Sequence, residues 1–400
     1  MRYRTDPKSG ARVSALGLGC MRLPGAQRGR IDLAAAERVI LRADERGVNY
    51  LDAAYSYRGV EAAVGAIFDR NPGLRDRMLV ATKLPHRMCR EPGDAGRILT
   101  TSLERLRTDR ADYYLVHNLT SRVQWDRLVA LGIEGWISDE KRAGRIGRMG
   151  FSFHGAYADF VELLDAYDWD FCQIQYNYAN ETYQAGTAGL RLAAQRGLAV
   201  FVMEPLLGGK LAGGLPPAAR NALRGACPDD PQRTPAAWGL RWVWNHPEVT
   251  MALSGMNDPA QVDENAAVAA TALPGSMSAG ELAAVARVVE EFRRTDRVPC
   301  TGCGYCMPCP HGVNIPGCFA AYNASFALGR FTGVQQYMTA SAALSDHPRL
   351  IDNCVRCGAC AQRCPQGIDV PTRLAEAKRR LQPPLMGPLF KLMRRRRERG

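Results

Sequence analysis

Val48-Asn-Tyr-Leu-Asp-Ala53, Met78-Leu-Val-Ala-Thr-Lys-Leu84 and Tyr113-Tyr-Leu-Val-His-Asn118 are three successive short runs of mostly apolar residues, with amphipathic segments between them. Runs that are apolar on both faces mark parallel strands covered on each side by helices. Five more flank them: Ala15–Cys20 before, and Ile146–Phe153, Phe171–Asn177, Ala199–Glu204 and Val249–Ser254 after. In the intervening stretch Leu33–Arg46, apolar residues recur at three- and four-residue spacing, the mark of a helix with one buried face. Eight strands alternating with eight helices predict an α/β fold, a (β/α)8 TIM barrel. The competitor, a doubly wound sheet, lacks a G-x-G-x-x-G after its first strand.

A chain of 400 residues has room for such a barrel, residues 1–295, and a smaller appendage. Met1-Arg-Tyr-Arg-Thr-Asp-Pro7 has no apolar core of a secretory signal, and no apolar run approaches a membrane span. A cytoplasmic, reducing location is the expectation. The net charge of +12 is concentrated at one end, since residues 371–400 hold ten Lys/Arg against two Glu. A basic tail, 383–400, contains Pro388-Leu-Phe-Lys-Leu-Met393 and then Arg394 to Arg397. It is a solvated terminus or a contact for an anionic membrane surface. No nucleic-acid motif or aromatic platform accompanies the charge.

The C-terminal third carries two cysteine blocks. One reads Cys300-Thr-Gly-Cys303-Gly-Tyr-Cys306-Met-Pro-Cys309-Pro310 and the other Cys354-Val-Arg-Cys357-Gly-Ala-Cys360-Ala-Gln-Arg-Cys364-Pro365. The second has the bacterial ferredoxin spacing C-x-x-C-x-x-C-x-x-x-C-P, in which the fourth cysteine ligates the other of two iron–sulfur clusters. The first block is one residue shorter, so either Cys306 or Cys309 could cross over. Zinc favours separated C-x-x-C pairs, and disulfides need an oxidising compartment, so two [4Fe–4S] clusters are expected. Two helices, Phe319–Leu328 and Val334–Leu344 with Gly329 between them, lie between the blocks. That insert makes residues 296–382 resemble the α-helical ferredoxin type. Cys20, Cys89, Cys172, Cys227 and Cys318 have no partner at ligand spacing and read as buried thiols.

Polar residues gather at the predicted strand ends: Asp52 with Tyr55 and Tyr57 beyond it, Lys83, and His117. In a barrel these positions share one mouth. Here the sequence resembles the aldo-keto reductases over residues 1 to about 295. The family's tetrad has its tyrosine five residues after the aspartate, which selects Tyr57 and implies Asp52, Tyr57, Lys83 and His117 as catalytic residues. Arg2–Val13 resembles the hairpin that caps the bottom of that family's barrel. The implied chemistry is hydride transfer between a nicotinamide cofactor, NADP or NAD, and a small carbonyl or alcohol. Tyr57 would be the general acid, Lys83 would lower its pKa from about 10, and His117 would orient the substrate oxygen.

The resemblance further implies cofactor contacts at Met21, Ser152, Gln173, Met203, Glu204, Leu206, Gly255, Asn257, Gln261 and Asn265. Ser152 and Gln173 match the family's carboxamide site, whereas Phe153 stands where asparagine is expected. Met203 stands where a ring-stacking aromatic is expected. The cations that grip a 2′-phosphate fall on Gly255 and Gln261, so NADH is expected to be accepted. The helix after the eighth strand opens Asp258-Pro259-Ala-Gln261, with Asp258 as cap, Pro259 in the first turn and Gln261 completing a capping box. A similar start at Ser278-Ala-Gly-Glu281 predicts a helix to about Arg294.

Hydride moves two electrons, whereas each cluster passes one, and no flavin motif is visible to convert between them. The leading expectation is a carbonyl reductase whose clusters exchange electrons with an external carrier, or regulate or brace the barrel. The rival is an electron-transfer protein or redox sensor whose barrel merely binds nucleotide or a partner. Substrate specificity would lie in loops Arg22–Arg30, Pro85–Gly93 and Lys210–Arg233.

Overall fold

A computed structural model describes all residues except 27–29, 228, 342, 344–347 and 383–400; the basic tail thus lies outside the described residues. Two short strands, β1 (Tyr3–Thr5) and β2 (Arg12–Ser14), pair antiparallel as the expected hairpin. Eight parallel strands follow: β3 (Leu16–Gly19), β4 (Tyr50–Asp52), β5 (Leu79–Leu84), β6 (Ala111–Leu119), β7 (Ile146–Phe153), β8 (Phe171–Gln175), β9 (Ala199–Met203) and β10 (Met251–Ser254). They close into a barrel in chain order, with β10 hydrogen-bonded to β3. Every predicted strand is present.

Side chains from several strands fill the barrel interior. Tyr50, Tyr113, Phe171 and Phe201 meet with successive ring centroids 5.1–5.2 Å apart. Gly17 leaves room there for Met251, whose Sδ lies within 2.5 Å of where a Cβ would stand. Tyr113 Oη donates to Asp6 Oδ2 at 3.0 Å, and Arg148 Nε lies 3.2 Å from the same carboxylate. Asp6 follows β1, so its fully buried carboxylate ties the hairpin segment to the barrel strands through a hydrogen bond and an ion pair.

The chain divides into two compact units, Met1–Leu206 with Ala236–Ser278, and Leu207–Pro235 with the residues from Ala279 onward. Within the second unit Arg233 pairs with Glu281, and Lys210 lies 2.6 Å from Asp296. The helix Ala279–Thr295 stands where Ser278 predicts it. The two helices between the cysteine blocks begin earlier than expected, at Ile315–Ala327 and Arg330–Ala340. Asn314 caps the first by accepting from Gly317 N–H, with Pro316 in the first turn. Gly329, at φ 93°, lets the second start at once. These helices and Val370–Leu381 enclose a separate core of Val298, Ile315, Phe319, Tyr337, Leu374 and Leu381. No helix among the described residues is long and apolar enough to cross a membrane.

Candidate active site and cluster site

The strand ends carry the polar residues singled out above. Lys83 Nζ on β5 lies 2.7 Å from Asp52 Oδ1 on β4 and donates to Ala53 O at 2.6 Å, with both side chains buried. Burial pushes the Asp52 carboxyl up and the Lys83 ammonium down, and each partner opposes the shift in the other. The Lys83 ammonium is 4.7 Å from the centre of the Tyr57 ring, which meets the His117 ring nearly edge-on at 5.8 Å. Tyr55 lies elsewhere, under the Arg105 guanidinium at 4.5 Å. The structure thus brings together Asp52, Tyr57, Lys83 and His117, and not Tyr55. Burial, then the Lys83 charge, holds His117 well below the usual histidine range, so its imidazole is neutral at pH 7.

Two further histidines stand beside it, both missed by the sequence reading. His86, just beyond β5, is 3% exposed and stands beside the Asn118 backbone. Half-buried His154 follows β7, and its Nδ1 is without a partner among the described residues. Both are pushed down to about 4 by burial. Reading every polar residue past a strand end would have found them. A depressed histidine pKa has a defined cost on acidification. Between about 6.5 and about 4 the unfolded chain binds a proton at this position and the folded chain does not. Stability therefore falls as pH drops through that window, by about 3 kcal/mol from His86 alone when it is complete. Urea midpoints at pH 7 and pH 4.5 should differ less in His86→Asn than in wild type. Equal differences would mean that the ring titrates normally.

The residues implied as nucleotide contacts are spread around the same barrel mouth. Met21 lies in the turn Cys20–Arg22 after β3, and Met203, Glu204 and Leu206 end or follow β9. Ser152 pairs in register with Gln173 across β7 and β8, and Ser152 Oγ accepts from Asn118 N–H at 2.8 Å. Gln173 also hydrogen-bonds Asp52, yet its buried Oε1 has no partner among the described residues. Phe153 turns to the helix layer and packs on Phe160 at 5.0 Å, as strand alternation demands. Glu204 has φ 55°, and its carbonyl accepts from Asn177 Nδ2.

Asp258 caps the helix Pro259–Thr271 by accepting from Ala260 N–H. Gln261 departs from the expected capping box. Its Oε1 accepts from Asn257 N–H, not from the cap residue's own amide, because the Asn257–Asp258 turn presents the earlier N–H. Asn265 Nδ2 donates to Ser254 Oγ at 3.2 Å. The stem of Arg22 lies against Gly255, where a Cβ would meet Arg22 Cδ at 2.8 Å.

In the second unit one cavity is lined by Cys300, Cys303, Cys306 and Cys364 together, with Ile315, Phe319 and Val370. Burial raises the Cys306 thiol to about 12, with Cys303, Cys300 and Cys364 adding to the shift. Cys354 and Cys309 act in the same way on Cys360. The blocks thus exchange their last cysteines, and Cys309, not Cys306, is grouped with the other block. Cys318, Cys20, Cys89 and Cys172 are buried thiols as expected, whereas Cys227 is only half-buried. Among the described residues no three His, Cys, Asp or Glu side chains converge on a single-ion site.

Residues 15–280 match the family described as Aldo/keto reductase family, and residues 299–368 match the 4Fe-4S dicluster domain. An oxidoreductase of Bacillus subtilis, YrpG, itself uncharacterized, is 27% identical over 236 residues, 53% of this chain and 69% of its own. A 6-dehydroglucose reductase of Novosphingobium aromaticivorans is 30% identical over 163 residues, 34% of this chain; the match spans only about half, 53%, of that relative. Two solved structures are each 25% identical and matched over 72% of this chain and 96% of their own. They are the holo form of aldo-keto reductase AKR11C1 from Bacillus halodurans, at a TM-score of 0.59, and an aldo/keto reductase from Klebsiella pneumoniae in complex with NADP and acetate, at 0.56. With its closed barrel, its strand-end constellation and this match over more than half its length, the chain belongs to the aldo/keto reductase family and carries a 4Fe-4S dicluster domain after the barrel.

Proposed function

We propose that the barrel interconverts a small carbonyl and its alcohol, and that the second unit holds two [4Fe–4S] clusters. The observation carrying the first part is Lys83, anchored by Asp52 and set 4.7 Å from the Tyr57 ring. A bound nicotinamide supplies the hydride. Tyr57 Oη gives its proton to the oxygen left on the substrate, and the Lys83 ammonium stabilises the phenolate that remains. Neutral His117 hydrogen-bonds the same oxygen and orients it. Run backwards, Tyr57 takes the proton from an alcohol.

The residues fit a nicotinamide: the orphaned Gln173 Oε1 can accept from a carboxamide N–H, and Ser152 stands beside it in register. For the adenosine end, Arg22 against Gly255 supplies a positive charge absent at Gly255 and Gln261. NADH is accepted, and NADPH binds at least as well, in keeping with the NADP bound to the Klebsiella pneumoniae relative. One charge-assisted hydrogen bond contributes roughly 1.5–3 kcal/mol, so Arg22→Ala should narrow any NADPH advantage by about tenfold or more. Titrating both nucleotides against both proteins measures it. Weaker binding of NADH and NADPH alike would move Arg22 to a part the two share.

Thiolate donors grouped as above fit two clusters, the first on Cys300, Cys303, Cys306 and Cys364 and the second on Cys354, Cys360 and Cys309, with Cys357 added from the spacing of its block. Clusters supply one-electron transfer, which suits exchange with an external carrier. The test of the combined reading is anaerobic. NADPH or NADH is mixed with the protein and cluster absorbance is followed, with and without a carbonyl.

A further inference from the structure

The run Leu206-Leu-Gly-Gly-Lys210 leaves β9 in a form that invites a phosphate-binding role, two glycines followed by a lysine. The structure commits that lysine elsewhere. Lys210 Nζ donates to Asp296 Oδ1 at 2.6 Å and to Val298 O at 3.4 Å. Asn323 closes the arrangement from the helix Ile315–Ala327. Its Nδ2 donates to the same Asp296 oxygen at 2.6 Å and to Val298 O at 2.7 Å, and its Oδ1 accepts from Val298 N–H at 3.0 Å. Val298 O accepts in turn from the N–H of Cys300 at 2.8 Å. A framework of four residues therefore fixes an ammonium beside the chain that begins the first cysteine block.

Burial makes this arrangement costly. The Asp296 side chain is only 9% exposed and that of Lys210 21%. Ion pairs at this depth gain little net stability over an apolar pair of the same volume, because desolvation offsets their attraction. Val298 O accepts from both the Lys210 ammonium and the Cys300 N–H, so the ammonium stands one shared acceptor away from the first cysteine of the block.

We infer that Lys210 sets the reduction potential of the cluster held by Cys300, Cys303, Cys306 and Cys364, with Asp296, Asn323 and Val298 as the frame that holds its ammonium in place. The inference rests on the cluster reading above. Reduction adds one electron to the cluster, oxidises the donor by one, and moves no proton. A fixed cation nearby lowers the energy of that added charge and raises the potential. Asp296 acts with the opposite sign.

The test is an anaerobic redox titration of the iron-loaded full chain, with the two reduced clusters followed by electron paramagnetic resonance. In Lys210→Met the potential of one cluster should fall, and in Asp296→Asn it should rise. The other cluster should stay put in both, and Lys210→Arg should keep the wild-type value. Loosened packing would move the two variants the same way, so opposite signs are the diagnostic. Potentials unmoved at full iron content, or shifted in one direction by both variants, overturn the inference. So does a loss of NADPH affinity in Lys210→Met with the potentials unchanged, which would return the lysine to phosphate binding. Wild-type protein that takes up no iron would instead sink the cluster reading itself. If Lys210→Met does not fold, the Asp296→Asn and Lys210→Arg pair still decides, through a rise in the first and none in the second.

Discussion

Tyr57→Phe should abolish carbonyl reduction, with a loss of roughly 10²–10⁴ in rate, the usual contribution of a positioned general acid. The substitution deletes one hydroxyl and keeps the ring that sits beside Lys83 and edge-on to His117. Nucleotide affinity should therefore stay close to wild type. Tyr55→Phe is the control. Its ring stacks under Arg105, away from the Asp52–Lys83 pair, and its loss should leave the rate within a few-fold. Single-turnover rates with a saturating aldehyde separate chemistry from binding. If Tyr55→Phe proved the damaging change, the placement of the acid on the segment after β4 would be wrong.

The second large effect is a crossed loss of clusters. The fourth cysteine of each block is grouped with the other block, Cys364 with Cys300, Cys303 and Cys306, and Cys309 with Cys360 and Cys354. Protein assembled anaerobically should hold about eight irons. Cys364→Ala should disturb the cluster built on Cys300, although its own block lies some fifty residues further along the chain. Cys309→Ala should disturb the one built on Cys354. In each variant one resonance signal should disappear and iron should fall towards about four. Cys89→Ala, which removes a buried thiol outside both groups, should leave both signals intact. Stoichiometric zinc without iron would end this account of the second unit.

The barrel was legible because its strands are buried on both faces, which leaves short apolar runs that no surface helix shares. Asp52, Lys83 and His117 stood out as polar residues at the ends of such runs, and the structure sets them around Tyr57. What stayed hidden depends on partners distant along the chain. The Arg22 stem against Gly255 and the link from Lys210 to Asp296 join residues that no local pattern relates. Gln261 satisfies the amide of Asn257 because of a turn geometry that spacing alone does not specify. The cysteine crossing was ambiguous for a different reason. The shortened first block offers two candidates, and only packing around Cys306 separates them. Phe153 looked like a departure inside the site, yet strand alternation sends it to the helix layer.

Transfer of a labelled hydride tests the central claim most directly. The full chain would be incubated anaerobically with NADPH or NADH deuterated at the reactive nicotinamide carbon, together with a panel of small aldehydes and ketones. Alcohol products would be read by mass spectrometry for wild type and Tyr57→Phe. The account predicts one deuterium on the former carbonyl carbon in wild type, and little or no product from Tyr57→Phe. Nucleotide that binds and bleaches the clusters while no carbonyl gains deuterium would contradict it, and would make the barrel a nucleotide-binding partner of an electron-transfer unit.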